Sequence, residues 1–172
     1  KFVGDFTLPM GNFYGDFDLS VNSSMLHEAG NVSVTDWKMA GSNFDVNSFT
    51  YGMSVDIPFG ANSCSTFSAN TSGNLSMGSK SYDFSGNMTI DCGVLKVLHF
   101  DFLYSKHAVQ YHFYLGYDAN THIMAGGLKF KFERSTSWKF LSHRYRRHPK
   151  FVVQIDFSMN FDKPSQDKLS IY

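Results

Sequence analysis

The chain has 172 residues and a mass of 19.5 kDa, enough for one domain (1–172) with a sizeable core. Its 42% hydrophobic content, with 18 Phe, 9 Tyr and 2 Trp, excludes a disordered segment, and no apolar run nears the roughly 18 residues of a membrane helix, so no transmembrane segment is expected. The net charge is zero, which argues against a nucleic-acid partner. It is unevenly spread: residues 1–95 carry three basic and nine acidic side chains, residues 96–172 twelve and six. Strands from the two halves are expected to interleave and erase that asymmetry.

Period-two alternation dominates the chain. After a short candidate at 3–9, the first clear strand sets Phe13, Gly15, Phe17, Leu19 and Val21 against Asn12, Tyr14, Asp16, Asp18 and Ser20. Residues 24–29 alone look helical. Across 31–39 the parity of Val32 and Val34 gives way to that of Trp37 and Met39, which predicts a bulge near Asp36. A long strand carries Phe49, Tyr51, Met53, Val55 and Ile57 on one side, and a short one is expected at 64–69, closed by a turn at 71–74. Further strands follow at 82–92, 94–104, 109–117 and 122–133, with a short one around Trp138 and a long one over 150–161. The expected fold is all-β: an antiparallel barrel or strongly curled sandwich of about 8–10 long strands, connected as a meander or Greek key, with little or no helix.

Five Asn-x-Ser/Thr sequons, at Asn22, Asn31, Asn70, Asn74 and Asn87, exceed the roughly two that composition predicts. Together with the even cysteine count, which suggests a Cys64–Cys92 disulfide, they point to a secreted glycoprotein. Lys1 opens the chain without the pattern of a signal peptide, so any leader is expected to have been removed.

The apolar parity is built from aromatics and Met, not from the Val, Ile and Leu of an ordinary core. A barrel interior lined by Phe17, Tyr51, Met53, Phe84, Met88, Phe100, Phe102, Tyr111, Phe113, Phe130, Phe157 and Met159 would hold an apolar small molecule such as a lipid, fatty acid or pigment. The alternative is a filled interior in an extracellular module that self-assembles into a homo-oligomer or binds partners; a carbohydrate-binding sandwich is a third reading. The run His143–Lys150 is expected to be a solvated loop. Its Arg144, Arg146, Arg147 and Lys150 could engage an acidic protein or glycan, and Arg144–Arg147 resembles a proprotein-convertase cleavage motif. The chain has no Gly-x-Ser-x-Gly elbow, phosphate loop or His-Glu-x-x-His, so neither catalysis nor a cofactor is expected. Histidines at 99, 107, 112, 122, 143 and 148 have no spacing that fixes a metal site, and none is expected.

Overall fold

The computed structural model describes residues 2–60, 63–133, 136–140, 143–147 and 150–172, with Phe6, 136–140 and 143–147 described by backbone alone. In chain order the strands are β1 (Phe2–Leu8), β2 (Gly11–Val21), β3 (Met25–Lys38), β4 (Phe44–Pro58), β5 (Thr66–Met77), β6 (Lys80–Asp91), β7 (Val94–Lys106), β8 (Val109–Asp118), β9 (Ile123–Glu133), β10 (Thr136–Phe140), β11 (His143–Arg147), β12 (Lys150–Asn160) and β13 (Lys168–Ile171). A single 3-10 turn at Pro164–Gln166 precedes β13. Among the described residues no helix is long and apolar enough to cross a membrane.

Eleven strands form one antiparallel sheet in the order β1-β2-β3-β4-β5-β6-β7-β8-β9-β12-β13, while β10 and β11 pair separately. Nine of the eleven are 10 to 15 residues long. The all-β antiparallel class and the long strands are as the alternation requires, and the connection is a meander. The sheet is not closed: β1 and β13 are its two edges, and no pairing joins them among the described residues.

Tight turns set the register. Asp91 pairs with Val94 across Cys92 and Gly93, whose φ values of 53° and 74° make the doubly left-handed turn that suits a two-residue hairpin. Lys80 pairs with Met77 across Gly78, at φ 59°, and Ser79. The Cys64–Cys92 disulfide ties this β6–β7 turn to the segment leading into β5. In the chain-entropy model such a cross-link stabilises the fold by about 3 kcal/mol.

Two irregularities keep the apolar residues in phase. Asp36 adopts φ 54°, and the register shifts between Val46 and Ser48, so that Trp37, Val46 and Leu75 come level with the apolar parity of Val34, Phe49 and Gly73. The expected bulge near Asp36 is therefore present, and it places Trp37 beside Val46, the one buried large hydrophobic among the described residues. A second shift, between Thr89 and Ile90, brings Leu95 into line with Ile90.

Several local expectations are corrected. Residues 25–29 belong to β3, not to a helix, because Leu26–Ala29 pair on both sides with β2 and β4, and Met25 pairs with Pro58 on β4. The Thr71–Asn74 turn is the interior of β5, which runs on to Met77 between β4 and β6. The basic run is not a loop: His143–Arg147 is β11, paired with β10 from Thr136↔Arg147 to Phe140↔His143. This register is the one that joins β9 to β12, where Glu133 faces Lys150. β10 and β11 thus continue the β9–β12 hairpin beyond the body of the sheet. The strands also do not interleave. Because spatial order follows sequence order, the acidic half of the chain forms β1–β6 and the basic half forms most of β7 to β13.

Candidate functional site

Residues directly opposite each other in an antiparallel pair share a face, so the register can be followed across the whole sheet. One transverse row reads Phe13, Val34, Phe49, Gly73, Phe84, Phe102, Phe113, Leu128, Ile155 and Ile171. A parallel row reads Phe17, Gly30, Met53, Ala69, Met88, Leu98, Tyr117, Met124 and Met159. All twelve residues expected to contact an apolar ligand fall on this one face. Their common parity is therefore correct, but the face they form belongs to an open sheet.

It is also uncovered. Phe17, Tyr51, Phe100, Tyr111, Phe113 and Met159 are all exposed, and among the described residues no side chain is fully buried. The accessible surface of 11956 Å² compares with about 8,500 Å² expected for a globular chain of this mass. Aromatic contacts run along the face: Tyr82 to Tyr104 (5.2 Å between centroids), Tyr104 to Tyr111 (5.7 Å), Tyr111 to Phe130 (4.8 Å) and Phe130 to Phe151 (6.2 Å). Each ring shields its neighbour along the face, and among the described residues no second layer lies over them. One carboxylate, Glu28, interrupts the face between Leu19 and Val55 near the β2–β3 turn.

Glycines shape the face in two ways. Phe84 lies over Gly73, and a Cβ at Gly126 would meet Phe157 Cζ at 2.8 Å, so these glycines are floors for rings from the next strand. Gly15 has nothing within 4 Å of where its Cβ would be. With Gly4 and Gly30 it floors a trough of about 490 Å³, walled by Phe2, Phe17, Val32, Tyr51 and Met53. A smaller hollow of about 190 Å³ shares Tyr51 and continues past Ala69, Gly86 and Met88 to Phe100. The trough was not foreseen. Its signal was the set of glycines on the apolar parity of β1, β2 and β3, which register brings together.

The opposite face is polar. Asn31, Asn70 and Asn87 lie on it in one row through Gly52, all three exposed, and Asn74 lies on the same face, where its amide donates to Asp83. Asn22 is in the β2–β3 turn, its Oδ1 accepting from the backbone of Ser24 and Met25 at 2.8 and 2.9 Å. None of the five sequon asparagines is on the apolar face. Two His–Asp pairs bridge neighbouring strands here, His27–Asp56 at 2.5 Å and His112–Asp101 at 2.8 Å; a third, His122–Asp162 at 2.7 Å, lies outside the strands. His99 and Asp101 keep the same parity as predicted, but Asp101 is engaged by His112. One potential metal-ligand cluster occurs among the described residues, Cys64, Asp91 and Cys92, and its two sulfurs are joined in the disulfide.

Of the expected anion-binding residues, Arg144, Arg146 and Arg147 are on β11 and their side chains lie outside the described residues, as does His148. Lys150 begins β12, where its Nζ is 3.0 Å from Glu133 Oε1; Lys131 approaches the same oxygen at 3.4 Å. The hydrogen bond from Lys150, helped by the hydrogen bond and charge of Lys131, holds the Glu133 carboxyl below its ordinary range against the opposing effect of desolvation. Lys150 is thus already partnered, which weakens it as an anion ligand.

No protein-family model, curated protein or solved structure matches the chain.

Proposed function

We propose that the protein is a secreted, N-glycosylated binder of an apolar, lipid-like molecule, held against the aromatic and Met face of its open sheet. The observation that carries this reading is the glycine-floored trough on the apolar face. Its volume of about 490 Å³ lies within the 300–1,000 Å³ of typical small-molecule sites. Met53 and Met88 add adaptable contacts suited to a flexible chain, and the rings supply broad apolar area. The paired cysteines and the excess of sequons support passage through an oxidising secretory compartment. On this reading the protein binds and carries; it has no catalytic role. The β10–β11 ribbon, with Arg144, Arg146 and Arg147, is the proposed contact for an anionic headgroup, acidic protein or sulfated glycan.

Native mass spectrometry of the protein purified from a secreting host, before and after organic extraction, tests the reading. The expected result is an added mass of a few hundred daltons, on the scale of a lipid, that extraction removes. A mass accounted for by polypeptide and glycan alone would overturn it.

The same uncovered face favours a second reading, a self-assembling extracellular module, because a layer of exposed Phe, Tyr and Leu side chains is also what a subunit interface presents before it is covered.

A further inference from the structure

We infer that two copies of this chain pack apolar face to apolar face about a two-fold axis parallel to the strands, making a two-layer sandwich that roofs the trough. This rests on the proposed ligand-binding role of that face and names what closes it.

Area comes first. The chain exposes about 3,400 Å² more surface than a globular chain of its mass, and much of the excess is the apolar face. Covering even half of it on each of two copies would bury about 3,400 Å² in total, within the 2,000–5,000 Å² of obligate homodimers. Eleven strands at about 4.8 Å spacing give a face about 50 Å wide, and a second copy matches its dimensions.

Sequon placement identifies the face that stays open. Asn31, Asn70 and Asn87 point from the polar side, so glycans there would prevent that side from stacking and leave the apolar side bare. Stacked sheets lie about 10 Å apart, which leaves no room for a glycan between them.

Charge favours one axis. A two-fold parallel to the strands reverses strand order, laying acidic β1–β5 of one copy over β7–β13 of the other, with β6 over β6 at the centre. A two-fold across the strands would instead stack β1 on β1, acidic half on acidic half. Apolar burial supplies the affinity; nearly all the charged side chains stand on the outward polar faces, so the charge gradient biases the orientation at long range and not through contacts in the interface. Glu28 lies near one end of its strand, where it keeps access to water.

Sedimentation of the glycosylated protein at micromolar concentration should give twice the monomer mass. Ala69→Asn, made together with Asn70→Gln so that the adjoining polar-face sequon is removed, adds a sequon on the apolar face, since Thr71 follows two residues on, and should leave a monomer. Ser48→Asn, which adds one on the polar face ahead of Thr50, should remain a dimer. Single cysteines linked by a reagent matched to the ~10 Å sheet spacing report the axis. Met88→Cys on β6 should cross-link to its own copy. Val32→Cys on β3 should not, because its equivalent then sits over the sixth strand away, about 29 Å off. A monomeric wild type, a dimeric glycosylated Ala69→Asn or a self-linked Val32→Cys would each overturn the arrangement. A monomer carrying extractable lipid would sink the dimer and leave the carrier standing. A dimer without cargo would leave the dimer and sink the carrier.

Discussion

The Tyr114 hydroxyl on β8 donates to Asp156 Oδ1 on β12 at 2.8 Å, reaching over the intervening strand at Gly127. A Cβ at Gly127 would meet the Asp156 carboxylate, Ile155 O at 2.8 Å and Tyr114 Cε1 at 2.8 Å. Gln154 Nε2 donates to the second Asp156 oxygen at 2.7 Å and fixes the carboxylate from its own strand. Gly127→Ala is therefore expected to destabilise the fold by about 1–3 kcal/mol, and Tyr114→Phe by about 1 kcal/mol. The double variant should lose less than the sum, because both changes remove the same bond. Urea unfolding of the three variants measures it.

The same pair gives an alkaline signature. The hydrogen bond to Asp156, then burial, then the carboxylate's charge raise the Tyr114 pKa above its ordinary value of 10.0. A raised folded-state pKa means that the neutral phenol contributes stability fully below the unfolded value, and that this is lost as pH rises through the folded one. Wild type should lose more stability than Tyr114→Phe between pH 9 and the folded pKa of Tyr114, read from urea midpoints with phenolate absorbance as the parallel probe. Equal slopes for the two proteins would mean that Tyr114 titrates like an unfolded tyrosine.

Much of this architecture is legible in the alternation alone. Phe17, Phe100 and Met159 share a face because parity is local and a strand has a period of two. What parity cannot carry is whether that face closes on itself. Closure depends on pairing β1 with the far edge, more than 140 residues away in sequence, and no local pattern encodes it. Residues 25–29 misled because Met, Leu, Glu and Ala favour helices in isolation, and pairing with β2 and β4 overrides that preference. Thr71–Asn74 misled through turn-like composition; there Gly73 serves as the floor for Phe84, a role visible only once β6 is in register. The charge gradient survived because a meander preserves sequence order in space.

The two kinds of apolar-face glycine should respond oppositely to a side chain. At Gly73 any Cβ collides with the Phe84 ring, and Gly73→Ala is expected to cost about 1–3 kcal/mol. At Gly15 the space is open, and Gly15→Ala should be neutral or stabilise by up to about 1 kcal/mol through the unfolded chain. Gly15→Leu should fold while filling the trough, and so should carry less of the proposed ligand than Gly15→Ala. Thermal melts and the extractable mass of each purified variant separate fold from occupancy. A Gly15→Leu protein with undiminished cargo would move the ligand away from this trough.

Glu133 supplies the acid-side counterpart. Lys150, and then Lys131, hold its pKa below the ordinary 4.5, so the interaction contributes above that value and is lost as pH falls through the lower, folded one. The chain has only two glutamates, Glu28 and Glu133, so the side-chain carboxyl carbon of Glu133 can be followed directly by NMR titration. Lys150→Gln should raise the Glu133 midpoint toward 4.5, and high salt should shift the wild-type midpoint in the same direction, because the partners are exposed to solvent. Lys131→Gln should move it less, in keeping with its longer 3.4 Å approach. A Glu133 midpoint indifferent to both lysine changes would release Lys150 from the pair, and would restore it as a free cation at the base of the β10–β11 ribbon.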